Sequence, residues 1–294
     1  IIIERISDSY RKIRNTLRFL ISNLYDFNPS NDMVSIFLIT KFDMFFLYRL
    51  YNFQVCVIDD YRSYNFHIIY KKLYNFLVID FGSLYLDVIK DKLYTFKKKS
   101  FSRRSCQTVL YYSLNCLVRL ISPILSFTCE ETWKTFFYKE SCTVFLSNWL
   151  IFSYSFFYDF IFFNLFFSAL IYIKSDIYKR IELLRKENKI GSNLNCDMIL
   201  FCSIELYNLL FFAINELKFF FMVSNLIIIL KKKFLITFYS FDKYNYNFLL
   251  KQNVYEKCSR CWNFQKDVIY IEKYGLICNR CLFNISDLGL RFVI

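Results

Sequence analysis

Cys258, Cys261, Cys278 and Cys281 stand as C-x2-C, sixteen residues, C-x2-C, and no other feature restricts the fold so tightly. Each C-x2-C closes a tight knuckle that aims two thiolates at one point. Two knuckles complete a tetrahedron, the geometry of structural zinc with Zn–S bonds of about 2.3 Å. Four sulfur ligands leave no open coordination position, so the predicted Zn2+ is a single structural ion. An iron–sulfur centre and a pair of disulfides are the chemical alternatives. A segment of roughly 40 residues carries too little core to fold unaided, so the predicted finger, residues 255–294, depends on its ion. Gly275 and Asn279 suit the turns around the second knuckle. Lys257, Arg260, Trp262 and Arg280 stand beside the ligands. A guanidinium next to an indole on a stapled loop suits stacking on a base; packing of Trp262 into the finger's own core is the alternative. The other seven cysteines, Cys56, Cys106, Cys116, Cys129, Cys142, Cys196 and Cys202, are scattered singly, which predicts small buried side chains rather than a disulfide framework.

The bulk of the chain reads as mainly α. Its 294 residues allow one to three domains. A hydrophobic content of 56% excludes disorder, and only 4 Gly and 2 Pro exclude collagen-like and turn-dense all-β chains. Phe (37) and Tyr (24), whose codons are AT-rich, are abundant while Ala occurs only at Ala169 and Ala213, the pattern of an AT-rich genome. Average apolarity therefore says little about membranes. Between Ser141 and Ile173 the only charge is Asp159, but Ser147, Asn148, Asn164 and Ser168 scatter over all faces. That falls short of the roughly 20 apolar residues a span needs, so no membrane segment is expected. The opening Ile1–Ile3 run, followed by Glu4 and Arg5, lacks the pattern of a secretion signal.

Periodicity places the elements. Ile3, Ile6, Tyr10, Ile13, Leu17, Leu20 and Leu24 make one helical seam, and Arg11, Arg14 and Arg18 make a separate stripe on the same helix, ended by Asn28, Pro29 and Ser30. Further helices are predicted at 33–60, 64–80, 84–91 and 102–121. The last opens on Arg103 and Arg104, a poor place for cations unless an anion lies near. Thr128 to Glu131 fits a capping box. An amphipathic helix over 173–190 is stopped by Gly191. Strands at Met198–Ser203, Ile227–Leu230 and Phe234–Tyr239, with a helix near 205–220, suggest a small α+β region. Three modules follow: a helical bundle at 1–140, a junction at 141–254 and the finger at 255–294. There is no phosphate-binding glycine loop. His67, the one histidine, reads as a packed or capping residue, and Asp59, Asp60, Asp80 and Asp87 as solvated helix faces.

Lys and Arg total 38 against 25 Asp and Glu, a net charge of +13. With the arginine stripe, Lys97 to Lys99 and Arg103 and Arg104, this charge predicts an anionic partner, and the aromatic surroundings favour unpaired bases over a duplex. Basic residues merely solvating a bundle are the competing explanation.

Several strings carry a family resemblance. DSYRKIRNTLRFLISNLYDFNP (8–29), YNFHIIYKKLYNF (64–76), LYLDVIKDKLYT (84–95) and RRSCQTVLYYSLNCLVRLISPILSFTCEETW (103–133) resemble, in order, the anticodon-binding bundle of isoleucyl-tRNA synthetases. LRKENKIGSNL (184–194) is similar to their junction, and KCSRCWNFQKDV with LICNRC to their C-terminal zinc finger. The bundle strings alone also fit the valine and leucine enzymes; the C-x-R-C-W finger points to isoleucine. The resemblance implies a C-terminal portion that binds the anticodon region of isoleucine tRNA. Arg11, Arg14, Asn15, Arg18 and Phe19 are the expected tRNA-binding residues, with Arg103 and Arg104 opposite and Arg260 and Trp262 on the finger. HIGH and KMSKS signatures do not occur in the chain, so no catalytic residue is expected here. ATP and Mg2+ belong to the full-length enzyme, which the resemblance implies is cytoplasmic and monomeric, with a separate N-terminal catalytic chain if the gene is split. Two other classes share parts of the pattern. A formamidopyrimidine-DNA glycosylase ends in the same finger type but needs an N-terminal proline, where this chain has Ile1. A basic membrane protein would carry residues 141–173 across a bilayer.

Overall fold

The computed structural model describes residues 2–137, 142–150, 152, 160–231, 239–241 and 244–285. The chain divides into two compact units, residues 1–94 with 98–158, and residues 95–97 with 159–294. Two units thus stand where the sequence predicts three modules, and the finger shares the second with the sheet.

In the first unit, helix α1 (Ile2–Asn23) buries Ile13, Leu17 and Leu20, and Leu24 follows them into the core. Ile3 and Ile6 lie on the same seam yet are exposed. Periodicity sets which face is apolar; the length of the neighbouring helices sets how much of it is covered. Asn28 caps the one-turn helix α2 (Pro29–Asp32), its Oδ1 accepting from the Ser30 amide at 3.1 Å. Helix α3 (Lys41–Arg62) begins well after residue 33, where the sequence places it. The connection before it is held extended because the Val34 and Thr40 amides donate to Thr108 Oγ1 and Ser105 Oγ, each at 3.0 Å.

The helices expected at 64–80 and 84–91 are one continuous element: α4 (Phe66–Asn75), a π-helical stretch (Phe76–Leu86) and α5 (Asp87–Thr95). Gly82 does not break it. A Cβ at Gly82 would lie 3.0 Å from the Leu77 carbonyl oxygen five residues back, a tight approach that glycine avoids in this wide turn. Aromatic stacking ties it to α3, with Phe46 on Tyr85 at 4.0 Å and Phe53 on Phe76 at 4.3 Å. Helix α6 (Phe101–Ile121) is buried on nearly every face. Asp43 of α3 is fully buried beside it and accepts from Ser105 at 2.6 Å, Thr40 at 2.8 Å and Tyr85 at 2.8 Å. Helix α7 (Ser126–Phe136) starts two residues before the predicted capping box. Thr128 is already helical, and its hydroxyl meets Tyr10 at 3.0 Å instead of capping.

In the second unit, α8 (Phe160–Lys186) fuses the apolar stretch with the amphipathic one. It ends at Lys186 and is closed by Asn188, not Gly191. Asn188 adopts φ 55°, and the Lys189 amide donates back to Leu184 at 3.0 Å, so a left-handed asparagine closes the helix. Among the described residues no helix is long and apolar enough to cross a membrane. Strands β1 (Cys196–Cys202) and β2 (Asn225–Leu230) pair in parallel through the crossover helices α9 (Ile204–Phe211) and α10 (Leu217–Phe221). Strands β3 (Tyr239–Phe241) and β4 (Tyr244–Gln252) complete a sheet of order β2-β1-β4-β3, with Leu200 of β1 opposite Phe248 of β4. The strand expected at 234–239 lies largely outside the described residues. The finger adds a hairpin, β5 (Ile269–Ile271) and β6 (Gly275–Ile277), and the short helix α11 (Asn279–Ile285).

Tyr246 of β4 is fully buried and donates to Asp176 of α8 at 2.8 Å. Tyr246→Phe leaves a buried carboxylate oxygen without this donor. It is expected to lower the stability of this unit by about 1.5–3 kcal/mol, measured by urea denaturation; a loss below about 0.5 kcal/mol means that water replaces the hydroxyl.

Candidate metal centre and nucleic-acid interface

The first knuckle is built by local hydrogen bonding. The Cys258 amide donates to Asn263 O at 2.9 Å, and the Trp262 amide returns to Cys258 O at 2.9 Å, which forces Trp262 to φ 63°. The second follows the β5–β6 hairpin, where Gly275 takes φ 70°. Asn279 opens α11, its amide capped by Asp267 Oδ2 at 2.9 Å. The four cysteine sulfurs are buried and lie within 4.8 Å of one another. Cys261 and Cys278 sulfurs are 3.7 Å apart. A tetrahedron with bonds of about 2.3 Å has edges of about 3.8 Å, whereas a disulfide needs about 2.05 Å. The donor set therefore fits a tetrahedral thiophilic ion and not two disulfides. Hydrogen bonds from the Cys278 and Cys281 thiols push the Cys261 thiol strongly down, and the resulting thiolate pushes Cys278 up to about 12 and Cys281 higher still. So close together, these thiols share protons until a cation takes their place.

The finger is not an independent bead. The Phe264 amide donates to Ser224 Oγ at 2.8 Å, and Asn253 bridges Asp197 of β1 at 2.6 Å and Phe264 O at 3.3 Å. The Lys97 amide donates to Asn284 of α11 at 3.0 Å, so this lysine of the predicted basic loop is pinned to the finger helix. Trp262 is 60% exposed with the Lys257 ammonium 5.0 Å from its ring, so it does not pack into the finger's core. Arg260 is half-buried and reaches Cys281 O at 3.4 Å. Of the scattered cysteines, Cys106, Cys116, Cys129, Cys196 and Cys202 are buried as expected, but Cys56 and Cys142 are exposed.

The arginine stripe of α1 faces outward in part. Arg11 is exposed and, among the described residues, bonds only its helical neighbour Asp8, at 3.2 Å, while Asn15 is exposed and Phe19 half-buried. Arg14 reaches Glu131 of α7 at 2.8 Å and the Tyr10 hydroxyl at 3.2 Å. The Arg18 guanidinium has no polar partner among the described residues. Arg14 and Arg18 border a groove of about 210 Å³ between α1 and α7, floored by Leu17 and Ile21. Its far wall is Thr128, Glu131, Thr132 and Thr135; the sequence pattern marks Thr128 and Glu131 only as a capping box and gives Thr132 and Thr135 no role. The one local signal was the recurrence of threonine at 128, 132 and 135, one helix turn apart.

Arg103 and Arg104, expected to contact tRNA, are turned toward the interior of the bundle. They are only 6% and 8% exposed. Arg103 grips Asp26 with two bonds of 2.6 and 3.0 Å and donates to Leu93 O at 3.1 Å. Arg104 donates to Asp26 O at 2.9 Å and lies 3.4 Å from the Asp32 carboxylate. The anion that a cationic helix start requires is an internal aspartate. Asp59, Asp60, Asp80 and Asp87 pair with Arg62, Lys72, Arg49 and Lys90, and His67 is exposed in the first turn of α4.

Residues 43–200, most of the helical bundle and the chain as far as β1, are matched by the family described as the anticodon-binding domain of tRNA ligase. The chain belongs to that family. Its similarity extends further to isoleucine–tRNA ligases: 36% identity to that of Buchnera aphidicola subsp. Cinara cedri over 99% of this chain, and 38% to that of Wigglesworthia glossinidia brevipalpis over 97%. The Coxiella burnetii isoleucine–tRNA ligase is 36% identical over 98% of the chain. The chain spans 31%, 30% and 31% of those three proteins.

Proposed function

We propose that this chain is the tRNA-recognition part of an isoleucine–tRNA ligase, binding the anticodon region of isoleucine tRNA while the rest of the enzyme joins isoleucine to it with ATP and Mg2+. The observation that carries this reading is the match to isoleucine–tRNA ligases along 97–99% of the chain. The exposed cations Arg11 and Arg18, with Arg14, Asn15 and Phe19, supply phosphate and base contacts on α1. Trp262 and Arg260 offer a stacking surface on the finger. Structural zinc is the ion that suits four buried thiolates. The enzyme works as a cytoplasmic monomer, with its catalytic part on the same chain or on a separate one.

Filter binding of the full chain to transcribed isoleucine tRNA tests the reading. Affinity is expected to fall steeply with salt. Arg11→Ala is expected to flatten the log–log salt slope by about 0.7–0.9, the share of one phosphate contact. Equal affinity for an unrelated tRNA overturns the assignment to isoleucine, and no binding at low salt overturns tRNA recognition altogether.

A further inference from the structure

We propose that the groove between α1 and α7 is a subsite for one unpaired nucleobase that carries an exocyclic amino group. The proposal rests on the tRNA reading above and assigns it a specificity-determining wall. The hydroxyls of the groove are turned inward. Ser22 donates to Arg18 O at 2.8 Å, Thr132 to Thr128 O at 2.9 Å and Thr135 to Glu131 O at 2.7 Å. A hydroxyl whose proton is committed to its own helix presents only lone pairs to a ligand. With the Glu131 carboxylate, exposed on the α7 side, one wall is therefore made of acceptors. The opposite wall holds the Arg18 guanidinium, all donors, and Leu17 and Ile21 give an apolar floor for a ring face.

Glu131 already holds Arg14 at 2.8 Å, so a phosphate finds the Arg18 guanidinium on one side and only acceptors on the other. A base is amphoteric: adenine, cytosine and guanine pair an amino donor with a ring or carbonyl acceptor, and carboxylates and hydroxyls accept from such amines while arginine donates to the acceptors. Uracil has no amino group. A volume of about 210 Å³ suits one base and not a helix or strand of the partner.

The test titrates the full chain, and its Glu131→Gln/Thr135→Val variant, with isoleucine tRNA. In a set of transcripts each unpaired adenosine, cytidine and guanosine of the anticodon loop is replaced in turn by uridine. Both substituted side chains are exposed, and a circular dichroism melt checks that the variant folds. At one loop position the uridine is expected to cost the wild type about tenfold in affinity, the scale of a specific base contact, and to cost the variant nothing. Lys134→Ala, which removes a charge from the same helix outside the groove, is expected to retain the wild-type discrimination. If every substitution costs both chains equally while unaltered tRNA binds, the subsite is overturned and tRNA recognition stands. If unaltered tRNA does not bind, both fall.

Discussion

Chelating the ion that we propose for the four thiolates is expected to unfold the finger while α1 to α7 keep their helical signal. A structural zinc site contributes on the order of 10–16 kcal/mol to the fold around it at neutral pH, far more than the small cluster of Ile277 and its neighbours can supply without it. Without the ion the thiolate on Cys261 holds the Cys278 and Cys281 protons in place, so apo ligands cannot all ionise together. The check is amide NMR dispersion of residues 255–285 before and after EDTA, with metal analysis of the purified chain. The expected result is one zinc per chain and selective collapse of the β5–β6 signals. Intact dispersion after chelation, or the absence of bound metal from freshly purified protein, sinks the assignment. Since Phe264 and Gln265 hold the finger to Ser224, some loss of order at the β2 end of the sheet is also expected.

Removing the Asp26 carboxylate is the second large effect. Its partners Arg103 and Arg104 have side chains only 7% and 9% exposed, and Asp26 itself 13%. Breaking a buried pair by deleting one partner leaves an uncompensated charge and costs about 3–5 kcal/mol. Asp26→Ala is expected to destabilise the first unit by that amount in urea denaturation followed by circular dichroism. A loss under about 1 kcal/mol would place the pair with ordinary surface bridges. The same contact predicts a pH dependence. Burial pushes the Asp26 carboxyl up, but hydrogen bonds from Arg103 and Gln107 and the charges of both arginines outweigh it and hold the group below its ordinary 3.8. A depressed carboxyl stabilises the fold above its unfolded pKa, and that contribution disappears as pH falls through the lower folded value. The wild type is therefore expected to lose stability below about pH 4 more steeply than Asp26→Ala does.

Asp26 also marks the limit of sequence reading. A cationic helix start signalled a nearby anion, and an anion is there. Nothing local identified it as a side chain 77 residues away rather than a phosphate. Strand β4 was missed because YNYNFLLKQ lacks an aliphatic alternation, and the partner of its buried Tyr246, Asp176 of α8, lies 70 residues away. Local periodicity divided the continuous helix from Phe66 to Thr95 at residues 81–83, where the chain instead takes a π-helical turn. The end of α8 was misplaced because asparagine tolerates the left-handed conformation nearly as well as glycine.

The amino-acid sequence alone determined the four cysteines of the candidate metal centre, the apolar face of α1 and the direction of the family resemblance. Each depends on residue types a few positions apart, where chain geometry leaves little choice. Tertiary structure alone decided which cations meet solvent and which are neutralised inside. Arg14, Arg18, Arg103 and Arg104 are chemically equivalent as sequence, and they are sorted only by where Asp26 and the wall of α7 come to lie. Charge pairing and groove shape depend on distances between segments far apart in the chain, which only the packed fold brings together.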